Sequence, residues 1–140
     1  MSQENVEFVR GLYEAAETMD KEQLLAALPA LIEQVCDPDI EWVEDPARAD
    51  GQTYRGHAGV LRSFERWLEG FDEYGFVLER AVDCGEDVFV VAREEGRGSA
   101  SGATVSAAIY QVLTVRDSKI VRFQEFYDEQ AALEVAGLSE

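Results

Sequence analysis

Basic residues are scarce in this chain: 12 Lys and Arg stand against 29 Asp and Glu, for a formal net charge of −17. Nucleic acids and anionic membrane surfaces are gripped by clustered cations, so neither is an expected partner. The acidic surplus reads as a solubility feature. There is one histidine, His57, and two cysteines, Cys36 and Cys84, far apart and outside any CxxC motif. That leaves no zinc site to expect, and the thiols read as buried. No apolar run approaches the roughly 20 residues that span a bilayer. The opening MSQENVEFVRG lacks the basic and apolar regions of a signal peptide, so a cytoplasmic location is the expectation. A Gly-x-Ser-x-Gly elbow is missing too. The glycine-rich GRGSASG (96–102) follows a strand without opening a helix, which excludes a phosphate loop.

What remains is a globular composition, 46% hydrophobic and 29% charged over 140 residues, enough for one domain (1–140) with one core. Val6, Val9, Leu12, Tyr13 and Ala16 recur at helical spacing behind Ser2, a candidate N-cap. Asp20 starts a second helix, which Pro29 should interrupt and Pro38 should end. DIEWVEDP (39–46) is a short strand candidate, and ARADGQTYRG a polar loop. After Gly56 comes an amphipathic helix with Val60, Phe64, Trp67, Leu68 and Phe71 on its apolar stripe. The period then shortens to two. FVLERAVDC (76–84), DVFVVAREE (87–95), TVSAAIYQVLTV (104–115) and a last strand over 120–127 read as an antiparallel meander. Asp128 caps a final short helix ended by Gly137. Helices, one strand, a helix and then four strands make an α+β fold, a curved antiparallel sheet with helices on one face.

The last strand carries an oddity. Val121, Phe123, Glu125 and Tyr127 share one face, so a single carboxylate interrupts an apolar, aromatic row. Either that face is wet, or Glu125 is inside with work to do.

The segments SQENVEFVRGLYEA, DPDIEWVEDP, YRGHAGVLRSFERW and RDSKIVRFQEFYDEQAALEVAGL, in this order, resemble the SnoaL-like branch of the nuclear-transport-factor-2-like (NTF2-like) superfamily. The resemblance covers nearly the whole chain. It implies a cone-shaped fold in which the bent sheet and the N-terminal helices on its concave face enclose a pocket, and a homodimer paired through the outer sheet face. Glu125 would then be an acid in an apolar cavity, with its charged form disfavoured. Arg93 and Glu95, two apart on one strand, together with Glu125 resemble the two acids and bridging arginine of the limonene-epoxide-hydrolase branch. An arginine can hold two carboxylates in fixed geometry while one acts as base and the other as acid. The match is partial, because that branch has a tyrosine and an asparagine where this chain has Trp42 and Glu44.

Each of these residues also has a plainer structural account. Glu125 could pair with Arg93 or Arg80 and merely fix the sheet. Arg93 and Glu95 could be an exposed pair. His57 and Asp128 read as helix-terminus residues, and the aromatic side chains could fill the cone. The leading reading is a pocket for a small apolar organic molecule, with cofactor-independent acid–base chemistry of the isomerase, cyclase or hydrolase type. Glu125, Arg93 and Glu95 are its candidate catalytic residues; Tyr13, Trp42, Tyr54, Trp67, Phe76 and Tyr127 would shape the pocket. The rival reading is a non-catalytic dimeric module that binds a ligand or a partner protein.

Overall fold

A computed structural model describes residues 2–138. Helix α1 spans Ser2–Glu17; the side chain of Ser2, the expected cap, lies outside the described residues. Helix α2 (Lys21–Val35) begins with a capping box. The Asp20 carboxylate accepts from the Gln23 amide while the Gln23 side chain accepts from the Asp20 amide, satisfying two amides that a helix start leaves orphaned. The helix runs through Pro29 rather than breaking there. Proline costs one intrahelical bond, and burial of Leu24, Leu28 and Ile32 along one stripe offsets it.

Pro38, expected to end a helix, instead lies inside strand β1 (Cys36–Val43). The pairing of β1 with β6 is irregular between Cys36 and Glu41, where a residue without an amide hydrogen can sit without breaking a ladder bond. Tyr54 anchors a three-residue strand, β2 (Thr53–Arg55), in what reads from sequence as loop. Helix α3 (Gly56–Glu69) stops before Phe71, which opens β3 (Phe71–Cys84) instead. Strands β4 (Asp87–Gly98), β5 (Thr104–Arg116) and β6 (Lys119–Phe126) continue the meander, and α4 (Glu129–Ala136) closes the described fold. The β5–β6 turn holds Asp117 and Ser118 at φ of 52° and 60°. This twist suits a two-residue hairpin although neither residue is glycine.

The six strands form one sheet in the order β2-β1-β6-β5-β4-β3. The meander is antiparallel, but β1 runs parallel to β6, so the sheet is mixed rather than wholly antiparallel. Helices α1, α2 and α3 pack on the inner face around Val9, Ile40, Val60, Leu68, Val88 and Leu113. On the opposite face α4 covers a smaller cluster of Phe89, Val91, Val112 and Phe126. Asp128 caps α4 by accepting from the Ala131 amide at 2.9 Å, and Gly137 ends it at φ 78°. Among the described residues no helix is long and apolar enough to cross a membrane.

Candidate functional site

A cavity of about 150 Å³ lies between the inner sheet face and α1–α3. Its walls are mostly hydrocarbon, from Leu12 and Ala16 of α1, Leu24, Leu28 and Ile32 of α2, and Phe64 and Trp67 of α3. Trp42 stacks on Phe123 with ring centroids 3.7 Å apart and meets Phe64 at 5.3 Å, so one aromatic wall is rigid.

Three polar side chains interrupt the inner strand faces. Each is the lone polar member of an apolar row: Glu94 after Val88, Val90 and Ala92 on β4, Gln111 between Ile109 and Leu113 on β5, and Glu125 after Phe123 on β6. Register places Gln111 directly opposite Glu125, and the Gln111 Nε2 donates to Glu125 Oε2 at 3.3 Å. The Tyr13 hydroxyl of α1 donates to Gln111 Oε1, which fixes the amide so that its NH₂ points at the carboxylate. Glu94 accepts on a single oxygen from Tyr74 Oη at 2.6 Å and Trp67 Nε1 at 3.0 Å.

The fourth polar group arrives from the segment after β1. Buried Glu44 accepts from Ser63 Oγ at 2.7 Å, the Gln52 amide at 3.0 Å and Arg48 at 2.9 Å. Arg48 also pairs with Asp50 at 2.8 Å and lies 5.2 Å over the Trp67 ring, in range for a cation–π contact.

Electrostatics follow from burial. Loss of hydration pushes the Glu125 carboxyl from 4.5 up to about 7; the Glu94 charge adds to the rise, while Gln111 and Arg48 oppose it. Part of Glu125 still meets open space, because it faces the cavity rather than bulk water. Glu94 is raised as well, by desolvation, against the lowering pull of its Tyr74 and Trp67 donors. Burial likewise raises the hydroxyls of Tyr13, Tyr74 and Tyr127 and pushes the Cys36 thiol up to about 12. A thiol so held is unreactive.

Of the residues singled out from sequence, Glu125, Tyr13, Trp42, Trp67 and Phe76 line this cavity. Arg93 and Glu95 do not. They sit on the outer sheet face, where Arg93 pairs with Glu79 at 3.4 Å with its side chain 41% exposed, and Glu95 is exposed. On β4 it is Glu94, the residue between them, that points inward, so the Arg-x-Glu spacing falls on the other face of the pleat. Tyr54 is buried away from the cavity, accepting from Arg66 at 2.6 Å. Tyr127 lies beyond the end of β6, partly exposed and hydrogen-bonded to Arg48. His57 Nε2 binds the Cys36 carbonyl at 2.8 Å, tying α3 to β1 outside the cavity lining.

Among the described residues, no cluster of His, Cys, Asp and Glu is arranged to hold a metal ion. Glu94, Arg48, Tyr74 and Gln111 are not singled out by the sequence as site residues, and Glu44 only as the counterpart of an asparagine in the epoxide-hydrolase branch. A signal for two of them was present: Glu94 and Gln111 break their apolar rows just as Glu125 breaks its own.

A mixed, bent sheet wrapped with its helices around an apolar cavity defines an NTF2-like cone. The SnoaL-like domain family matches residues 9–123, and the chain belongs to that family. It is similar to an NTF2-like protein from Burkholderia thailandensis at 28% identity, with 95% of each chain covered and a TM-score of 0.71. It also resembles a candidate SnoaL-like polyketide cyclase from Jannaschia at 19% identity, covering 99% of this chain and 94% of that one, with a TM-score of 0.72. The third is TerC, crystallised with polyporic acid, at 24% identity, with 95% and 98% covered and a TM-score of 0.67. Among curated proteins no sequence matches.

Proposed function

We propose that this chain binds a small organic molecule in the cone cavity and acts on it by cofactor-independent acid–base chemistry, with Glu125 as the proton-transferring group. The observation that carries this reading is a carboxylate held near neutrality inside an apolar cavity, with one oxygen fixed by Gln111 and the other unclaimed. A group titrating near the working pH is present in both forms and can take a proton and return it. Glu94, steadied by Tyr74 and Trp67, is the second acid in place of Glu95. Arg48 supplies the nearby positive charge in place of Arg93. Relatives named as polyketide cyclases and a relative crystallised with an organic ligand support a small-molecule reading of the cone. The reaction class that fits is an isomerisation, cyclisation or hydrolysis begun by proton transfer.

The test is turnover of a panel of small enolisable carbonyl compounds and epoxides by the native chain and by Glu125→Gln. General acid–base groups contribute roughly 10²–10⁴-fold; the variant should lose at least a hundredfold while its circular dichroism is unchanged. Equal turnover in the variant removes Glu125 from the mechanism.

We also propose a homodimer through the outer face of β3–β5. Val77 stands 47% exposed there, with Arg93 in register beside it and half-buried Ala108 and Tyr110 one strand further on, while α4 covers only the other end of that face. Sedimentation at micromolar concentration should give twice the 15.6 kDa chain mass, and Val77→Glu should halve it.

A further inference from the structure

The charges around the cavity do not balance. Its ionisable carboxylates and cations are Glu44, Arg48, Glu94 and Glu125. Arg48 is already committed to Glu44 and Asp50. Glu94 receives two neutral donors, both on Oε2, and Glu125 receives one, also on Oε2. Among the described residues no Lys, Arg or His forms an ion pair with either acid. Among the described residues each therefore keeps one oxygen, Oε1, with no hydrogen-bond donor, and both residues line the same apolar space. A buried carboxylate is costly to ionise unless a cation and hydrogen bonds answer it. Here the donors are present in part, and the one nearby cation, Arg48, acts on both acids only at a distance because its ion pairs go to Glu44 and Asp50.

We infer that the ligand supplies the contacting cation: the cavity takes a small organic amine in its ammonium form, its N–H groups on Oε1 of Glu94 and its charge within the field of Glu125. The hydrocarbon body lies against Leu24, Leu28 and Ile32 of α2. This inference rests on the pocket proposed above and narrows its ligand class. The Trp67, Phe64 and Phe76 rings add faces that attract a cation lodged among them. An anionic ligand would add a third negative charge beside two unpaired acids and is disfavoured on the same ground.

The arrangement makes binding depend on pH. The titratable and charged groups facing the acids are Tyr13 from α1, Cys36 from β1, Glu44 and Arg48 from the segment after it, Tyr74 from β3 and Tyr127 just beyond β6, its hydroxyl also raised. Helices α2 and α3 bring no ionisable side chain to the lining. The tyrosines and the thiol, held above their ordinary ranges, stay neutral from pH 5 to 8. In that span the acids with raised titration are Glu94 and Glu125, so ammonium binding should strengthen as pH rises through about 7.

The experiment compares cyclohexylamine, cationic throughout this range, with cyclohexanol, its neutral counterpart of similar shape, by quenching of Trp42 and Trp67 fluorescence and by calorimetry. At pH 8 the amine should bind at least tenfold tighter than the alcohol. That advantage should fall at least fivefold at pH 5.5 in the native chain, and Glu94→Gln should remove most of it at pH 8. Equal affinity of amine and alcohol at pH 8 overturns the inference and leaves the proposed pocket standing. An amine that binds a folded Glu94→Gln variant undiminished lies elsewhere and overturns it too. Failure of both compounds to bind overturns the inference together with the pocket reading.

Discussion

Glu125→Gln should make the protein more stable at pH 8 and change little at pH 4.5. Glu125 is pushed from 4.5 up to about 7 in the folded chain, so between those values the native state holds a proton that the unfolded state releases. Stability then falls as pH rises through that window: the contribution is fully present below 4.5 and is gone above about 7. At 1.36 kcal/mol per pH unit the displacement corresponds to about 3 kcal/mol. Glutamine keeps the shape and can never ionise, so it escapes the cost of carrying a charge into the cavity. For a chain of this length 1 kcal/mol moves Tm by roughly 3 °C, so the variant should melt about 10 °C higher at pH 8. Thermal unfolding followed by circular dichroism at pH 4.5, 6 and 8 reads this directly. The difference between variant and native Tm should grow with pH and level off above about 7. A difference independent of pH refutes the argument, because it would mean that Glu125 titrates like an exposed carboxylate. A less stable variant at pH 8 would mean that the charged form is the one the fold supports.

Gln111→Leu deletes the donor to Glu125 and leaves the Tyr13 hydroxyl without its acceptor. It should lower stability by about 1–3 kcal/mol in urea unfolding and move the Glu125 titration, followed by carboxyl-carbon NMR, further above 7. Arg48→Ala strips Glu44 of its ion pair but leaves the Ser63 and Gln52 donors. A loss of about 2 kcal/mol is expected, below that of a fully buried pair, and Glu94 and Glu125 should both titrate higher because Arg48 lowers each. Arg93→Ala combined with Glu95→Ala touches only the outer face; ligand affinity should be unchanged in the same fluorescence titration, because neither side chain belongs to the cavity lining.

Periodicity reads well where one face is wet and the other dry, because a strand or helix must then segregate its side chains. That is why α1, α3 and the meander are legible in the sequence, and why Glu125 stands out there. The same logic applies to β4, whose alternate sets are Val88, Val90, Ala92, Glu94 and Phe89, Val91, Arg93, Glu95. Both begin apolar, since α4 covers the outer face at that end. The choice of inner row therefore rests on the charged end of the strand. The row with a run of charges, Arg93, Glu95 and Arg97, is the one that can pair with solvent-facing Glu79 and Glu73; the row with one isolated acid is the one that reaches the cavity. Applied consistently, the rule that flags Glu125 also flags Glu94.

Arg48 is different in kind. It sits in a polar loop, and no spacing rule predicts that the loop folds back to lay a guanidinium over Trp67 and against Glu44. That placement depends on Glu44 receiving the Gln52 amide and on the Gly51 amide closing onto the Arg48 carbonyl at 3.0 Å. Gly51 itself has no room for a side chain, since a Cβ there would come within 2.3 Å of the Asp45 carbonyl oxygen. Glu94 and Glu125 are thus written into strand alternation, while Glu44 and the cation that balances it are delivered together by the segment after β1. The two layers of information meet at the cavity, and the carboxylates left unmatched there set what a ligand must bring.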